Sequence, residues 1–382
     1  MIQITKVSRA FYAGVSVVPI TKDQIVEQLR TVQDPELYRD LVTLNMVKKV
    51  AYCDGHAEIQ IELTTPACPM KDTIRKDVVA AVRKLGDEIK QVTVDFTANV
   101  RKPEKTQQEQ ARENNPLPGV RHVLAVGAGK GGVGKSTISV NLAVGLARQG
   151  AKVGLLDGDI YGPSMPTMLG LDQLSPRARG NILIPFEVHG IKTMSLGSLV
   201  EDDKPLIWRG PMAHGAFKQI AVQTDWGELD YLIIDLPPGT GDVPLTLSQI
   251  LPLTGAVVVC TPQKVAQDDA RRAVRMFQTL NIDVLGVVEN MSYFIGDDGK
   301  EYDIFGRGGA QLMAQQLGVP FLGTIPINMK LRLNSDAGDP TANFTSDDQL
   351  ARELETFAQK LAGQVSVAAM SGQVVKPTLK VT

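Results

Sequence analysis

A run of glycines between an apolar segment and a helical pattern is the feature that most constrains this chain. Residues 129–136 read Gly-Lys-Gly-Gly-Val-Gly-Lys-Ser, and Thr137 follows. The apolar run at 122–126 is typical of a buried strand, and 138–148 has the spacing of a helix that Gly150 would end. A strand that passes through a Gly-rich turn directly into a helix favours a parallel α/β fold.

This run matches the phosphate-binding pattern G-x-x-x-x-G-K-S/T through Gly129, Gly134, Lys135 and Ser136. Glycines let the backbone wrap around phosphate oxygens, and successive N–H groups with a helix N-terminus form an anion cradle. We expect Lys135 to reach the β- and γ-phosphates and the Ser136 hydroxyl to ligate Mg²⁺. The residues predicted to hold ATP here are Gly129, Lys130, Gly131, Gly132, Val133, Gly134, Lys135, Ser136 and Thr137.

Composition narrows the classes of protein that remain. With 382 residues the chain is long enough for two domains, and 43% hydrophobic with 21% charged residues is typical of a globular protein. A net charge of −2 argues against a broadly basic nucleic-acid binder, and no apolar stretch is long enough to span a bilayer. Three cysteines make no disulfide framework. We therefore expect a cytoplasmic protein that binds neither nucleic acid nor membranes.

A segment rich in Pro, Gln, Glu and Asn divides the chain. Residues 101–118 carry almost no large apolar side chains, which predicts a linker. It separates a small domain over 20–100 from a larger one over 119–364. Residues 1–19 form an N-terminal extension, and 365–382 are predicted to be a loose tail.

Both domains have predictable elements. In the small domain we expect an α+β fold with a helix at 22–31, strands at 47–52 and 57–63, a helix at 70–85 and a strand at 91–96. In the large domain short apolar runs alternate with helical stretches, which predicts a mostly parallel, doubly wound sheet with its ligand at the carboxyl ends of the strands. Those strands are predicted at 122–126, 152–157, 191–194, 231–235, 256–261, 284–289 and 321–325.

Three aspartates stand at the ends of predicted strands. Asp235 ends Tyr-Leu-Ile-Ile-Asp, and Asp157 and Asp159 end Val-Gly-Leu-Leu-Asp-Gly-Asp. We expect Asp235 and Asp157, with Ser136, to serve a hydrated Mg²⁺, and Asp159 to position the attacking water. The alternatives are a helix or turn cap for Asp235 and ordinary solvated acids for the other two.

Lys130 gives the first resemblance to a known class. A lysine at the second position is not required by the general pattern, and the loop resembles the deviant phosphate loop of the ParA, MinD and nitrogenase iron protein class. That resemblance implies a homodimer with nucleotides between its subunits. Lys130 would then reach the phosphates across the interface and stabilise charge in the transition state. The alternative is an exposed loop lysine.

Further motifs narrow the resemblance to the Mrp/ApbC/Nbp group of iron–sulfur cluster carrier ATPases. The motifs are D-G-D-I-Y-G-P-S at 157–164, W-R-G-P-M at 208–212, D-L-P-P-G-T-G-D at 235–242, T-P-Q at 261–263 and E-N-M-S at 289–292. The resemblance implies an ATPase that delivers clusters to client apoproteins, with a scaffold protein as donor. It also implies that Asn290 recognises adenine.

The small domain resembles the iron–sulfur assembly domain that is often fused ahead of such ATPases. The matching motifs are D-P-E-L at 34–37, L-N-M-V at 44–47 and T-T-P-A-C-P at 64–69. The C-x-x-C pair usual in these carriers after E-N-M-S is absent, because 289–306 contains no cysteine. Cys68, just before a predicted helix, is therefore the candidate ligand for a 4Fe–4S cluster, with a buried structural thiol as the alternative. We expect Cys53 to be structural and Cys260 to lie in the core.

Other functions remain open on these residues. The protein could be a positioning ATPase of the ParA/MinD kind, although residues after 362 supply no basic amphipathic helix. It could also be an ATPase scaffold that assists cluster assembly without binding a cluster. A redox ATPase would need bridging cysteines in the large domain, where only Cys260 lies.

Overall fold

The computed structural model describes most of the chain and divides it into two compact units. One unit comprises residues up to Glu62 and Asp72–Phe96, and the other comprises Leu63–Lys71 and the chain from Thr97 onward. Residues 1–19, most of the predicted linker and Cys68 lie outside the described residues. The described ranges are 20–35, 39–53, 55–63, 70–86, 88–98, 115–159, 162–172, 174–199, 210–239, 250–296, 298–345 and 348–370.

The smaller unit is a three-stranded sheet with two helices, as its α+β pattern predicts. Thr21 and Gln24 form a capping box that starts the first helix. Ile74, Val78 and Val82 recur at helical spacing and are buried, which fixes the inner face of the second helix. The elements are α1 (Lys22–Leu29), β1 (Val47–Cys53), β2 (His56–Leu63), α2 (Lys71–Arg83) and β3 (Gln91–Ala98), with sheet order β1-β2-β3.

The larger unit alternates strands and helices around a nine-stranded sheet, and two further short strands, at 177–179 and 182–184, form a separate antiparallel pair. Its strands are β4 (Val120–Ala128), β5 (Val153–Asp157), β6 (Arg177–Arg179), β7 (Ile182–Ile184), β8 (Phe186–Val188), β9 (Ile191–Ser195), β10 (Leu229–Asp235), β11 (Leu253–Cys260), β12 (Val284–Ile295), β13 (Glu301–Tyr302) and β14 (Phe321–Ile327). Its α-helices are α3 (Lys135–Arg148), α4 (Met165–Met168), α5 (Gly210–Gln223), α6 (Lys264–Thr279), α7 (Gly309–Leu317), α8 (Met329–Asp336) and α9 (Gln349–Met370). Two short 3₁₀ helices cover Gly197–Leu199 and Pro340–Phe344.

The order of the strands positions the site. The path runs β13-β12-β11-β4-β10-β5-β9-β8, with β14 also on β12. The pairs among β4, β5, β9, β10, β11, β12 and β14 are parallel, and β8 and β13 are antiparallel. The chain passes from β4 to β5 on one side of β4, and later from β10 to β11 on its other side. A ligand crevice is therefore expected at the carboxyl end of β4. The predicted parallel, doubly wound α/β class is confirmed.

Two apolar layers cover the sheet. Buried side chains of α3 and α9 form one cluster with the strands, and those of α5, α6 and α7 form the other. Helix α9 continues to Met370, and Val365 is buried, so the part of the predicted tail before residue 371 is helical. Among the described residues, no helix combines the length and apolarity needed to cross a bilayer.

Candidate nucleotide-binding site

The glycine-rich loop lies at the carboxyl end of β4, where the crevice is expected. Gly132 and Gly134 have φ angles of +76° and +79°, a left-handed conformation that side chains rarely adopt. A β-carbon on Gly129 would overlap the backbone of Asp269 in α6. Gly134 is the N-cap of α3, and Lys135 is its first helical residue. The loop and the helix N-terminus therefore form the cradle for anionic oxygens that the sequence predicts.

A buried carboxylate faces this cradle and collects three side-chain donors. Lys135 Nζ donates to Asp235 Oδ2 at 2.7 Å, and Ser136 Oγ donates to the same oxygen at 2.5 Å. Ser139 Oγ donates to Asp235 Oδ1 at 2.6 Å. Asp235 is 0% exposed and Lys135 is 7% exposed. The ion pair between Lys135 and Asp235 is thus enclosed. The sequence assigns Lys135 to phosphate and Asp235 to Mg²⁺.

The sheet register explains why these residues meet. Asp235 ends β10 and is the register partner of Val126 in β4 on one side and of Asp157 in β5 on the other. The loop leaves β4 at this edge, so the first turn of α3 passes over the Asp235 carboxylate. Parallel register at the carboxyl edge therefore brings together residues that are about a hundred positions apart in the sequence.

Asp157 is the second buried carboxylate at this edge. Its Oδ2 accepts a hydrogen bond from Ser195 Oγ at 2.9 Å, and its Oδ1 accepts one from the Asp159 N–H at 3.1 Å. Burial, reinforced by the negative charge of Asp235, raises the pKa of Asp157 to about 7. Asp159 lies two residues further on, and its carboxylate accepts from the Gly162 N–H at 3.3 Å.

The donor chemistry of this edge fits Mg²⁺. A hydroxyl on Ser136 and carboxylates on Asp235 and Asp157 are hard oxygen ligands, and Mg²⁺ is usually bound through one or two carboxylates and waters. Ser136 and Asp235 are already within hydrogen-bond distance of each other. Lys130 lies in the same loop and is partly exposed.

Asn290 packs against the phosphate loop. The sequence did not predict this contact. Its Nδ2 donates to the Val133 carbonyl oxygen at 2.8 Å, and the residue is 3% exposed. A β-carbon at Gly134 would overlap that amide, so Gly134 is also needed for this close approach. The role in adenine recognition remains a prediction, and the contact to the loop is an additional one.

Sequence reasoning missed three polar residues of this region. Ser139 follows Lys135 by one helical turn, a spacing that could have indicated a shared face. Ser195 ends β9 opposite Asp157, which only the strand order reveals. Glu289 is buried and accepts hydrogen bonds from Ser292 Oγ and from the N–H groups of Gly308 and Ala310. The E-N-M-S motif includes Glu289, but the sequence does not show which groups the carboxylate contacts.

The described cysteines differ in accessibility. Cys260 is buried as predicted, and burial together with the Glu289 charge raises its pKa to about 12. Cys53 is exposed at the end of β1, opposite His56, so the structure gives no support to the structural role expected for it. Within the described ranges, no three His, Cys, Asp or Glu side chains are grouped to hold a metal ion.

Taken together, the fold and this loop define a P-loop nucleotide-binding protein of the α/β type. The chain matches the family described as "NUBPL iron-transfer P-loop NTPase" over residues 119–362, and the one described as "Iron-sulfur cluster assembly protein" over 22–96. The protein therefore belongs to the iron-transfer P-loop NTPase family, with an iron–sulfur assembly domain ahead of the NTPase. This confirms the resemblance that the motifs indicate.

Individual relatives agree with the family. An iron–sulfur cluster carrier protein of Synechocystis sp. is 46% identical over 92% of this chain and 99% of its own length. One from Deinococcus radiodurans is 47% identical over 91% and 97%. The solved structure of a nucleotide-binding protein in complex with ADP from Archaeoglobus fulgidus is 39% identical, with a TM-score of 0.53 over 61% of this chain and 92% of that one.

Proposed function

We propose that this protein binds and hydrolyses ATP and uses the cycle to carry iron–sulfur clusters to client apoproteins. One observation supports the ATPase part most strongly. The loop lysine and the loop serine both donate to Asp235 at the carboxyl edge of the central strands. Phosphoryl transfer in P-loop NTPases uses a loop lysine on the phosphates and a loop serine with an aspartate on Mg²⁺, and these three residue types meet here at one point.

The residues of the loop bind and orient the substrate in this proposal. The N–H groups of the loop and of the α3 N-terminus receive the phosphate oxygens, and Lys135 contacts the β- and γ-phosphates. An ammonium group has three donors, so Lys135 can bind phosphate while one donor remains on Asp235. Ser136, Asp235 and Asp157 would hold Mg²⁺, which when bound neutralises charge on the phosphate oxygens.

Hydrolysis forms a bond between a water oxygen and the γ-phosphorus and breaks the bond from that phosphorus to the β,γ-bridging oxygen. The products are ADP and inorganic phosphate. Asp159 orients the water, and Lys130 of the opposing subunit stabilises the charge that spreads over the γ-phosphoryl oxygens. Asn290 contacts adenine in this assignment.

The partners follow from the same proposal. Two copies enclose the nucleotides, because Lys130 acts across the interface, and closing or opening of the dimer changes the affinity for cluster or client. The family and the carrier names of its relatives support a cluster as cargo, with client apoproteins as recipients and a scaffold protein as donor. The cell compartment proposed is the cytoplasm.

The ATPase part is tested with Lys135→Ala and a matched lysine. Lys264 is exposed and forms a surface pair with Asp268, so Lys264→Ala controls for loss of one positive charge. We expect Lys135→Ala to lose ATP turnover while its circular dichroism spectrum is unchanged, and Lys264→Ala to keep wild-type turnover. Normal hydrolysis by Lys135→Ala would refute the phosphate-loop assignment.

The carrier part is tested by anaerobic reconstitution with iron and sulfide quantified per dimer. The variants are Cys68→Ser and Cys53→Ser, and the buried Cys260→Ser is the control. A stoichiometric cluster that Cys68→Ser loses and Cys260→Ser keeps supports a carrier with its cluster on the small domain. If only Cys53→Ser loses the cluster, the exposed Cys53 thiol is the ligand instead. No cluster in the wild type favours the scaffold alternative, in which a partner protein holds the metal.

A further inference from the structure

Four consecutive residues of β12, Glu289 to Ser292, connect the phosphate loop to the start of helix α7. On the loop side, Asn290 Nδ2 donates to the Val133 carbonyl oxygen at 2.8 Å. Val133 and Asn290 are both buried, at 2% and 3% exposed, so water does not compete for this bond. Gly134 leaves just enough space for the amide. Any displacement of the Val133 carbonyl therefore acts directly on Asn290.

On the other side, Glu289 is anchored to the start of α7. Its Oε1 accepts from the Gly308 N–H at 2.9 Å, and its Oε2 accepts from the Ala310 N–H at 2.7 Å. Ser292 Oγ donates to Oε1 at 2.6 Å. Glu289 is 0% exposed. A buried carboxylate that receives the first N–H groups of a helix is held firmly, because each of those donors would otherwise lack a partner.

The backbone between these anchors is not regular strand. Met291 has a φ of +55°, a left-handed conformation that is unfavourable for a residue with a side chain. The register of β12 with β14 also shifts between Asn290 and Phe294. Such a conformation persists only where neighbouring contacts enforce it, and here those contacts come from Asn290 on one side and from Glu289 and Ser292 on the other.

The chain after this point is held by partly buried contacts of Tyr293 and presents exposed apolar side chains. Tyr293 OH donates to Glu353 Oε1 at 2.7 Å and accepts from Gln349 Nε2 at 2.7 Å. The guanidinium of Arg307 lies 4.4 Å from the centroid of the Tyr293 ring. The exposed apolar side chains of the stretch are Tyr302, Ile304 and Phe305. We name residues 293–310 the response segment.

We propose that Asn290 is a positioning residue that couples nucleotide on the phosphate loop to the response segment. Phosphate oxygens draw the loop N–H groups toward themselves, which reorients the Val133 carbonyl and with it the Asn290 amide. Because Met291 is already in an unfavourable conformation, a small shift at Asn290 is passed on to Glu289 and Ser292 and hence to the start of α7. The proposal rests on nucleotide binding as put forward above.

The test compares Asn290→Ala with Asn343→Ala, which removes a buried asparagine that contacts α3. Asn343 is 0% exposed and its Nδ2 donates to Asn141 Oδ1 in α3 at 2.9 Å, away from the phosphate loop. Hydrogen–deuterium exchange of the full chain is measured with and without saturating ADP or a slowly hydrolysed ATP analogue. We expect wild type and Asn343→Ala to gain protection in both the phosphate loop and the response segment. Asn290→Ala should gain protection in the phosphate loop but not in the response segment.

A second variant keeps the proposal testable if Asn290→Ala fails to fold or to bind. Ser292→Ala removes a donor to Glu289 on the far side of the connection, and we expect nucleotide affinity within about twofold of wild type. In this variant, nucleotide should no longer change the hydrogen–deuterium exchange of the response segment. A wild-type response in nucleotide-bound Asn290→Ala or Ser292→Ala would overturn the proposal.

The wild-type protein separates this proposal from the proposed function. Nucleotide binding without any change in the response segment would overturn the coupling and leave the ATPase intact. Failure of the wild type to bind nucleotide at all would refute the ATPase proposal and the coupling with it.

Discussion

Asp235 and Glu289 are both buried carboxylates with three hydrogen-bond donors, yet the donors differ in kind. Within the described ranges, the donors to Asp235 are the side chains of Lys135, Ser136 and Ser139. Glu289 receives two backbone N–H groups at the start of α7 and one hydroxyl. Side chains can turn toward a ligand, whereas backbone donors move only with their helix. The comparison indicates that Asp235 belongs to a site whose donors can be exchanged for a ligand. Glu289 belongs to a fixed anchor, which keeps its donors and shifts only together with α7.

The largest effect is expected from Asp235→Asn, which breaks the exchangeable site. Loss of the carboxylate removes a ligand proposed for Mg²⁺, so we expect ATP turnover to fall at least about 100-fold. It also leaves the buried Lys135 ammonium without its counter-charge, which should lower the free energy of unfolding by about 3–5 kcal/mol. Steady-state phosphate release and urea unfolding measure the two effects.

If the site is exchangeable, ADP should replace the lost partner of Lys135. We therefore expect ADP in EDTA to raise the melting temperature of Asp235→Asn by more than it raises that of the wild type. An equal or smaller shift would contradict the idea that phosphate binds Lys135 beside Asp235.

The next effect concerns Asp157, whose carboxyl has a folded-state pKa raised to about 7 from 3.8. A raised pKa means that the folded state holds the proton more tightly, so this contribution is complete below about pH 4 and is lost as the pH rises toward 7. Asp157→Asn has no proton to lose. At roughly 1.4 kcal/mol per pKa unit, its stability relative to wild type should be greater at pH 8 than at pH 4 by at most about 4 kcal/mol.

Urea unfolding in EDTA at the two pH values checks this expectation. Asp268, which is exposed and paired with Lys264, offers the control Asp268→Asn. Equal pH profiles for Asp157→Asn and the wild type would mean that the Asp157 carboxyl is not protonated near neutral pH.

A smaller change is expected from Glu289→Gln, which tests the fixed anchor. The side chain keeps its size, but its amide NH₂ would face a backbone N–H that needs an acceptor, so one buried donor lacks a partner. We expect a loss of about 2–3 kcal/mol in unfolding free energy, measured by urea denaturation. ADP should stabilise this variant no more than it does the wild type, in contrast to Asp235→Asn. A larger ADP effect would remove the distinction between the two carboxylates.

The smallest effect is expected from Ser139→Ala, which removes one of the three donors to Asp235. Asp235 keeps Lys135 and Ser136, so the cost should be about 1 kcal/mol, and ATP turnover should fall only a few-fold. Thermal unfolding and phosphate release measure both. A loss of turnover as large as that of Asp235→Asn would make Ser139 part of the reacting site rather than its support.

The elements that could be predicted are those with a strong local signal. Buried parallel strands such as β5 and β10 are continuous apolar runs, and their predicted bounds agree with the structure to within a few residues. The three-residue strands β6 and β7 were not predicted. β6 is the exposed Arg-Ala-Arg, and the Ile-Leu-Ile of β7 is too short a run to predict a strand. The helical residues after 364 were missed because Gly363 and the small residues around it resemble a loose tail.

In the candidate site, too, only the residues with a local sequence signal could be predicted. The phosphate loop can be assigned from sequence because its glycines, lysine and serine are contiguous. The contact of Asn290 with Val133 could not be assigned, since it depends on β12 passing beside the loop, and β12 is separated from β4 by β11. For the same reason Ser195 could not be placed on Asp157.

The amino-acid sequence by itself determined the P-loop, the alternating α/β pattern, the family and the residue types at the carboxyl edge. These depend on contiguous motifs and on the periodicity of apolar residues, which are local properties of a chain. The tertiary structure decided which donors face Asp235, why the Asp157 carboxyl has a raised pKa and that Glu289 and Asn290 join the loop to α7. Those properties arise from burial and from strand order, which bring together groups far apart in sequence and remove water from between them.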